Sequence, residues 1–313
     1  MIGLIAAAAL AVQPAERCDA QDAYAIVVHG GTARAGQVPE DRLVFIRKGL
    51  AEARRDLREG AHAVDVVEDI VAKMERSGLF NAGRASIVNA DGYVELDASI
   101  MDGATMQAGA VASMTGLKSP ISAARLVMDE TRHVMMVGDR GQSAVIERGA
   151  EPAPDGWFLQ GPKLELAEPD EHGTVGAAVL DRCGDLAAGT STGGYDAKIP
   201  GRVGDSPVIG AGTYAKNGVM AASSTGHGEF WIRFSATRSL AARMEYGGED
   251  IEAAGQAVID EMAEAGTDGD GRGGIVALDA DGTIAMPYSY DGMVRGYATH
   301  EAAPVAGAFE TLE

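Results

Sequence analysis

The sequence predicts a mixed α/β (α+β) chain in which antiparallel sheets are layered together and flanked by helices. Two observations carry this. Short β-branched runs closed by turn residues recur as hairpins, and amphipathic segments with apolar residues at three- and four-residue steps fall between them in pairs. Strand–helix–strand alternation of the parallel type is not the pattern here. Glycine numbers 42 of 313 residues, about twice its usual share of roughly 7%. With no collagen-like period, these glycines read as tight turns and close backbone approaches.

Taken in order, Ile2 to Val12 is an apolar, alanine-rich run with the length of a signal-peptide core, too short to span a bilayer. Ala11 and Ala15 offer small residues before a cleavage point. The missing Lys or Arg in the first residues argues the other way, toward a frayed or buried N-terminal segment. The expectation is export, periplasmic or secreted, with residues 1–15 removed and a mature chain from about Glu16; a cytoplasmic protein is the alternative. No other stretch reaches 18 apolar residues, so the mature chain is expected to be soluble.

Tyr24 to His29 reads as a buried strand stopped by a tight turn at Gly30-Gly31. Leu43, Ile46, Leu50, Ala53 and Leu57 mark a first helix; Val66, Val67, Ile70, Val71 and Met74 mark a second, ending at Gly78. Ser86–Val88 and Tyr93–Leu96 around Asn89-Ala-Asp-Gly92 read as strand, turn, strand. Ser119-Pro120 is a helix start, with Ser at the N-cap, leading to Met128. Residues 151–173, punctuated by four prolines and ending Pro-Asp-Glu-His-Gly, read as an exposed, mobile linker. Beyond it, Val175–Leu180 and Leu186–Ser191 form a hairpin, as do Gly274–Asp279 and Thr283–Ser289. Val208-Ile209 and Val219–Ser224 are further strands; Ser235–Tyr246 and Ile251–Met262 are helices.

Composition narrows the function. Hydrophobic residues make up 46% and charged residues 23%, as in ordinary folded proteins, and 46 acidic against 26 basic residues leave a net charge of −20. Such a surface repels phosphate backbones and anionic headgroups, so neither nucleic acid nor membrane is an expected partner. Cys18 and Cys183 alone exclude a disulfide scaffold and a cysteine zinc site; a single bridge between them is left open. Gly210-Ala-Gly212-Thr-Tyr-Ala215 imitates a dinucleotide fingerprint, but Asn217-Gly218 and a strand follow where a helix is needed. Asp268-Gly-Asp270 opens like a calcium loop, yet Arg272 stands where an oxygen ligand belongs. His300-Glu lacks the second histidine of a zincin, and there is no G-x-S-x-G elbow or Walker A loop. The six histidines, His133 and His227 among them, form no ligand-spaced cluster.

What remains is a hydroxyl-rich segment from His172 to Glu229. Threonine is a weak nucleophile without an adjacent base. Cutting the chain before Thr174 would supply one, because a freed α-amine titrates near pH 8 and reaches its own Oγ. Gly173, lacking a Cβ, tolerates the strained peptide through which Oγ would attack the preceding carbonyl. The competing reading is that Thr174 simply begins a strand. Arg202 and Asp205 offer opposite charges three residues apart, complementary to the head of an amino acid; a local ion pair in a turn is the alternative.

His-Gly-Thr174-Val-Gly-Ala, Ser191-Thr192-Gly-Gly, Pro200-Gly-Arg202-Val-Gly-Asp205-Ser-Pro, Gly210-Ala-Gly212 and Thr225-Gly-His-Gly-Glu229 resemble the plant-type L-asparaginase/isoaspartyl peptidase family of N-terminal-nucleophile hydrolases. Val27-Val-His29-Gly-Gly31, Phe80-Asn81-Ala-Gly83, Glu95-Leu-Asp97 through Asp102-Gly103, and Ser119 through Met128 match it in order, from about Ala25 to about Gly296. The resemblance implies a four-layer αββα sandwich made as a precursor and self-cleaved at Gly173–Thr174. Residues 16–173 would form the α subunit and 174–313 the β subunit, assembled as (αβ)2. It implies Thr174 as nucleophile and base, and Thr192 as partner of the nucleophilic hydroxyl. Thr225 and Gly226, with the Asn81 side chain, would form the oxyanion hole. Arg202 would clamp the substrate α-carboxylate and Asp205 its α-ammonium, with backbone contacts from Gly226 and Gly228. No cofactor is implied for catalysis. A structural sodium ion is implied on backbone carbonyls of Met74, Glu75, Ser77, Phe80, Ala82 and Arg84.

The expected substrates are small β-aspartyl amides: L-asparagine and β-aspartyl dipeptides. Alternatives are a glycosylasparaginase and, from another class, an unprocessed relative without activity. One departure stands out: Thr32 follows His29-Gly-Gly31 where the family has glycine or alanine. If that loop flexes during self-cleavage, Thr32 is expected to slow it.

Overall fold

The computed structural model describes residues 18, 20–33, 40–159, 173–267, 270–309 and 312. Twelve strands are found among them: β1 (Ala25–Ala33), β2 (Leu96–Asp102), β3 (Ala108–Met114), β4 (Met135–Val137), β5 (Thr174–Leu180), β6 (Leu186–Thr192), β7 (Thr213–Lys216), β8 (Met220–Gly226), β9 (Gly273–Asp279), β10 (Ile284–Ala285), β11 (Gly292–Thr299) and β12 (Val305–Gly307). The helices are α1 (Glu40–Arg58), α2 (Ala63–Ser77), α3 (Pro120–Glu130), α4 (Gly138–Ile146), α5 (Gly228–Phe234), α6 (Ala236–Gly247) and α7 (Ile251–Ala265).

The strands form an eight-stranded sheet, β12-β11-β1-β5-β6-β2-β3-β4, and a four-stranded sheet, β10-β9-β8-β7. Every pairing is antiparallel except β3 with β4. The alternation of side chains along a strand explains the layering. On β1, Ile26 and Val28 pack under α1 and α2, while Ala25 and Val27 face the second sheet. On β5, Val175, Ala177 and Val179 take the helix side, and Ala178 and Leu180 the sheet side. The second sheet is covered in turn by α6 and α7 through Leu240, Val258, Ile259 and Met262. The result is the αββα stack that the resemblance implied.

The sheets meet closely because their facing residues are small. A Cβ on Gly176 would lie 1.9 Å from Ser223 Oγ. This also explains which strands sequence reading missed. β3 is built largely from alanine, glycine and serine, and β2 carries one β-branched residue, Ile100, so neither gives much strand signal. β8, just as small-residued, nevertheless matches the expected Val219–Ser224.

Other expectations need correction. β1 does not stop at Gly30-Gly31 but runs to Ala33 through an irregularity between His29 and Thr32, which lies opposite Met293. The 86–96 hairpin reduces to one bridge, Val88 with Val94, and the strand proper starts at Leu96. Val208-Ile209 is not a strand; Ile209 makes a single bridge to Thr213. Thr283–Ser289 does run back along β9 as expected, but as the two-residue β10 followed by a single bridge from Tyr288 to Gly274 and backbone bonds at Pro287 and Ser289. Ser119 precedes α3, but its side chain does not cap it. Its hydroxyl donates to Glu75 Oε2 at 2.6 Å, and it is Glu75 Oε1 that accepts from Ile121 N at 2.9 Å. The proposed linker begins as chain that is largely exposed, as expected, yet tied down: Pro152 bridges Leu117, and Leu159 N donates to Arg84 O. Residues 160–172, the signal segment 1–15 and Asp268 lie outside the described residues.

The question of the two cysteines is answered. Cys18 and Cys183 form a disulfide, with Cα atoms 5.6 Å apart. No helix among the described residues is long and apolar enough to cross a membrane.

Candidate active site

Three strand ends converge. Thr174 opens β5 and lies directly opposite Thr192, the last residue of β6. Thr225 and Gly226 end β8 in the facing sheet. Thr174, Thr192, Gly194, Tyr195, Arg202, Asp205, Ser206 and Gly226 line one cleft of about 220 Å³, its open mouth included.

The nucleophile candidate sits in a directed chain. Thr174 Oγ1 donates to Thr192 Oγ1 at 3.2 Å; Thr192 Oγ1 reaches the Gly173 carbonyl at 3.4 Å and accepts from Gly194 N at 3.0 Å. In the uncut chain, therefore, one hydroxyl links the attacking group to the carbonyl it would attack. Gly173 is packed tightly; a Cβ there would lie 2.7 Å from Asn81 Cβ.

Asn81, expected in the oxyanion hole, sits beside Gly173 with part of its side chain already engaged. Its carboxamide holds backbone: Nδ2 donates to Gly194 O at 2.6 Å, and Oδ1 accepts from Ile87 N at 2.9 Å. Asn81 thereby fixes the turn that orients Thr192. Thr225 fits the expectation. It is buried, and among the described residues its Oγ1 has no hydrogen-bond partner. A buried hydroxyl left without a partner costs about 1–3 kcal/mol, so Thr225 Oγ1 is available to donate. Gly226 has φ +130°. A Cβ there would be 2.7 Å from Arg272 O, so only glycine lets the backbone bend across the cleft.

Arg202 and Asp205 face one space without pairing directly. Arg202 lies over the Tyr195 ring at 4.6 Å and makes a two-pronged pair with Glu229, Nε and Nη2 each 2.9 Å from a carboxylate oxygen. Asp205 Oδ2 accepts from Ser224 Oγ at 2.8 Å. Burial pushes Asp205 up to about 6, against Ser224 and Arg202, which hold it down. Gly228 lies between the two: a Cβ would fall 2.8 Å from both Arg202 Nη2 and Asp205 Oδ1. His227 sits at the rim, its Nε2 3.2 Å from Glu229.

Behind these groups lie buried residues whose side-chain roles sequence reading did not find. Lys198 is 1% exposed. Its Nζ donates to Glu95 O at 3.0 Å, and its stem packs beneath Gly194, where a Cβ would lie 2.8 Å from Lys198 Cδ. Asp97 and Glu95 are buried beside it; Asp97 accepts from Ser113 N, and Glu95 Oε1 from Gly201 N. Glu75 accepts from Ser191 Oγ at 2.6 Å as well as from α3, and burial pushes it up to about 7. A hydroxyl chain, Ser99–Thr213–Thr190–Ser223, ends on His29 Nε2 between the sheets. Burial lowers His29 to about 3, so it is neutral. Asp97, between Leu96 and Ala98 at the head of a strand, was the available signal; Lys198, in Tyr195-Asp-Ala-Lys198-Ile-Pro, gave none.

The expected sodium loop contains a donor set suited to a hard monovalent cation, uncharged oxygens throughout. The carbonyls of Met74, Phe80 and Arg84 accept from Ser77 Oγ, Ala82 N and Leu159 N, each keeping a second lone pair. The Glu75 carboxylate points elsewhere, leaving its carbonyl for this purpose. Asp181, Cys183 and Asp185 also cluster, but Cys183 is in the disulfide.

Two antiparallel-rich sheets packed face to face between helices, with a threonine opening an interior strand at the cleft, define the architecture of an N-terminal-nucleophile hydrolase sandwich. Comparison with known proteins agrees: the family described as Asparaginase matches residues 22–165 and 158–307. The chain belongs to that family. It is 38% identical over 310 residues to the isoaspartyl peptidase of Escherichia coli (strain K12), covering 91% of this chain and 95% of that protein. The plant-type L-asparaginase of Pyrobaculum calidifontis is 42% identical over 295 residues, covering 87% and 96%. The isoaspartyl peptidase/L-asparaginase of Danio rerio is 38% identical over 281 residues, covering 84% and 88%.

Proposed function

We propose that this protein hydrolyses β-aspartyl amide bonds, releasing L-aspartate from L-asparagine and from β-aspartyl dipeptides, after cutting itself at Gly173–Thr174. The observation that carries the reading is the line from Thr174 Oγ1 through Thr192 Oγ1 to the Gly173 carbonyl. In self-cleavage, Thr174 Oγ attacks the Gly173 carbonyl carbon; the acyl group passes from nitrogen to oxygen, and water hydrolyses the ester. In turnover, the freed amine takes the Oγ proton as Oγ attacks the substrate's β-carbonyl carbon. Thr225 Oγ1 and the Gly226 N–H receive the oxyanion. Collapse expels ammonia or an amino acid carrying that proton, and water releases aspartate from the β-aspartyl ester.

In this reading the substrate carboxylate displaces Glu229 from the Arg202 fork, and the α-ammonium pairs with Asp205. Sodium at the 74–84 loop would hold that turn and takes no chemical step. The processed pairs assemble as (αβ)2. The disulfide supports export, since such bonds persist in oxidising compartments.

The direct test is N-terminal sequencing of the smaller fragment, expected to read Thr-Val-Gly-Ala-Ala, with asparagine, a β-aspartyl dipeptide and a glycosylasparagine supplied side by side. Preference for the glycosylasparagine would reassign the enzyme. The pH dependence separates two groups. Below the α-amine's ordinary value of about 8, kcat/KM falls by one power of ten per pH unit for every substrate. Below about 6 it steepens to two for asparagine, because Asp205 must be ionised to bind the ammonium. Succinamate, which lacks the α-amino group, should keep the single slope. A shared double slope would remove Asp205 from substrate binding.

A further inference from the structure

The disulfide crosses the point of scission. Cys18 lies upstream of Gly173–Thr174 and Cys183 downstream, at a sequence separation of 165. We infer that the Cys18–Cys183 bond is a covalent strap between the two products of self-cleavage, keeping the mature αβ pair one molecule. This rests on the proposed scission at residue 173 and adds to it.

The geometry around the bond is that of a built clasp. Cys183 sits in the β5–β6 turn, where Asp181 Oδ1 accepts from Cys183 N at 2.8 Å. Gln21 N donates to Arg182 O at 2.8 Å, and Arg182 Nε returns a bond to Gln21 O at 2.9 Å. Asp181 Oδ2 accepts from Ala63 N at the start of α2, so the same turn also grips the upstream piece at a second place. No new chemistry is needed at scission: an intrachain bond becomes an interchain bond.

The consequence lies in unfolding and recovery. β1 of the upstream piece is inserted between β11 and β5 of the downstream piece, and β2 lies beside β6. The folded halves are therefore interleaved and hold together without a strap. Once unfolded, two free chains must find one another by collision, whereas tethered chains see each other at an effective concentration on the order of millimolar. The strap converts a second-order recovery into a first-order one, which suits a protein exposed to dilution outside the cytoplasm.

The test uses the processed full-length enzyme. On a denaturing gel without reductant it should run as one species. With reductant it should give bands of about 16 and 14 kDa, in proportion to 32.3 kDa for 313 residues. After unfolding in urea and dilution to submicromolar protein, untreated enzyme should recover about tenfold more activity than enzyme unfolded with reductant. A Cys18→Ser/Cys183→Ser variant should be active before unfolding and behave afterwards like the reduced enzyme. Two bands without reductant, or equal recovery in all samples, would overturn the strap. One band in both lanes would instead overturn the scission reading, and the strap with it.

Discussion

Thr174→Ala is expected to yield a single uncut chain whose asparagine hydrolysis is lower by about 10⁴-fold or more, the scale of losing a nucleophile from a coupled catalytic unit. Alanine removes both the Oγ that attacks Gly173 and the Oγ that attacks substrate, so maturation and turnover fail together. The fold should survive, because Thr174 is a strand residue whose side-chain hydroxyl bonds only to Thr192 among the described residues. Thr174→Ser separates the steps: scission continues, and activity falls less, since the hydroxyl and the freed amine are both kept. Intact-mass measurement reads scission; ammonia release reads turnover. An uncut Thr174→Ala chain that still releases ammonia at the wild-type rate would end the proposed chemistry.

The candidate residues were legible in type and spacing, and the resemblance to a family gave them their expected roles. A Gly-Thr step ahead of a strand and an Arg and Asp three residues apart need no tertiary context to be noticed. The structure joins Thr174 to Thr192, and sets Arg202 and Asp205 on either side of Gly228. The sheet order was less legible. β3 is built largely from alanine, glycine and serine because α3 packs directly on it, with a Cβ on Gly109 falling 1.9 Å from Ala124 O, and such small residues carry no periodic signal. Least visible were groups acting through a fold contact. The Ser119–Pro120 start looked self-capping, yet the cap comes from Glu75, 46 residues before Ile121. Asn81 reads as an oxyanion donor by resemblance, and its bond to the Gly194 turn is not foreseen. Such side chains are polar residues committed to distant backbone, and only the folded register shows which.

Lys198 gives the second large effect. Asp97 and Glu95 are buried beside its ammonium, and burial already lowers Lys198 while these carboxylates support its charge. Lys198→Met keeps the stem beneath Gly194 but leaves Asp97 without its nearest compensation. Lys198 Nζ is hydrogen-bonded to the Glu95 carbonyl and balances the carboxylates at longer range. Losing such a charged, buried donor costs about 1.5–3 kcal/mol, a sizeable part of the roughly 5–15 kcal/mol by which folded proteins are stable. The sign with pH follows from Asp97. Burial raises its carboxyl above the ordinary value, so the folded state holds its proton more tightly than the unfolded chain does. Stability then falls as pH rises from the unfolded value through the folded one, and the loss in Lys198→Met should be larger at neutral pH than near pH 4. Adding Asp97→Asn removes the charge that Lys198 was balancing. The double variant should therefore regain stability relative to Lys198→Met alone, with a coupling of about 1–3 kcal/mol. Urea unfolding midpoints at two pH values measure all three proteins. If the two substitutions simply add, with no pH dependence, Lys198 supports the Gly194 turn by packing alone and its charge plays no part.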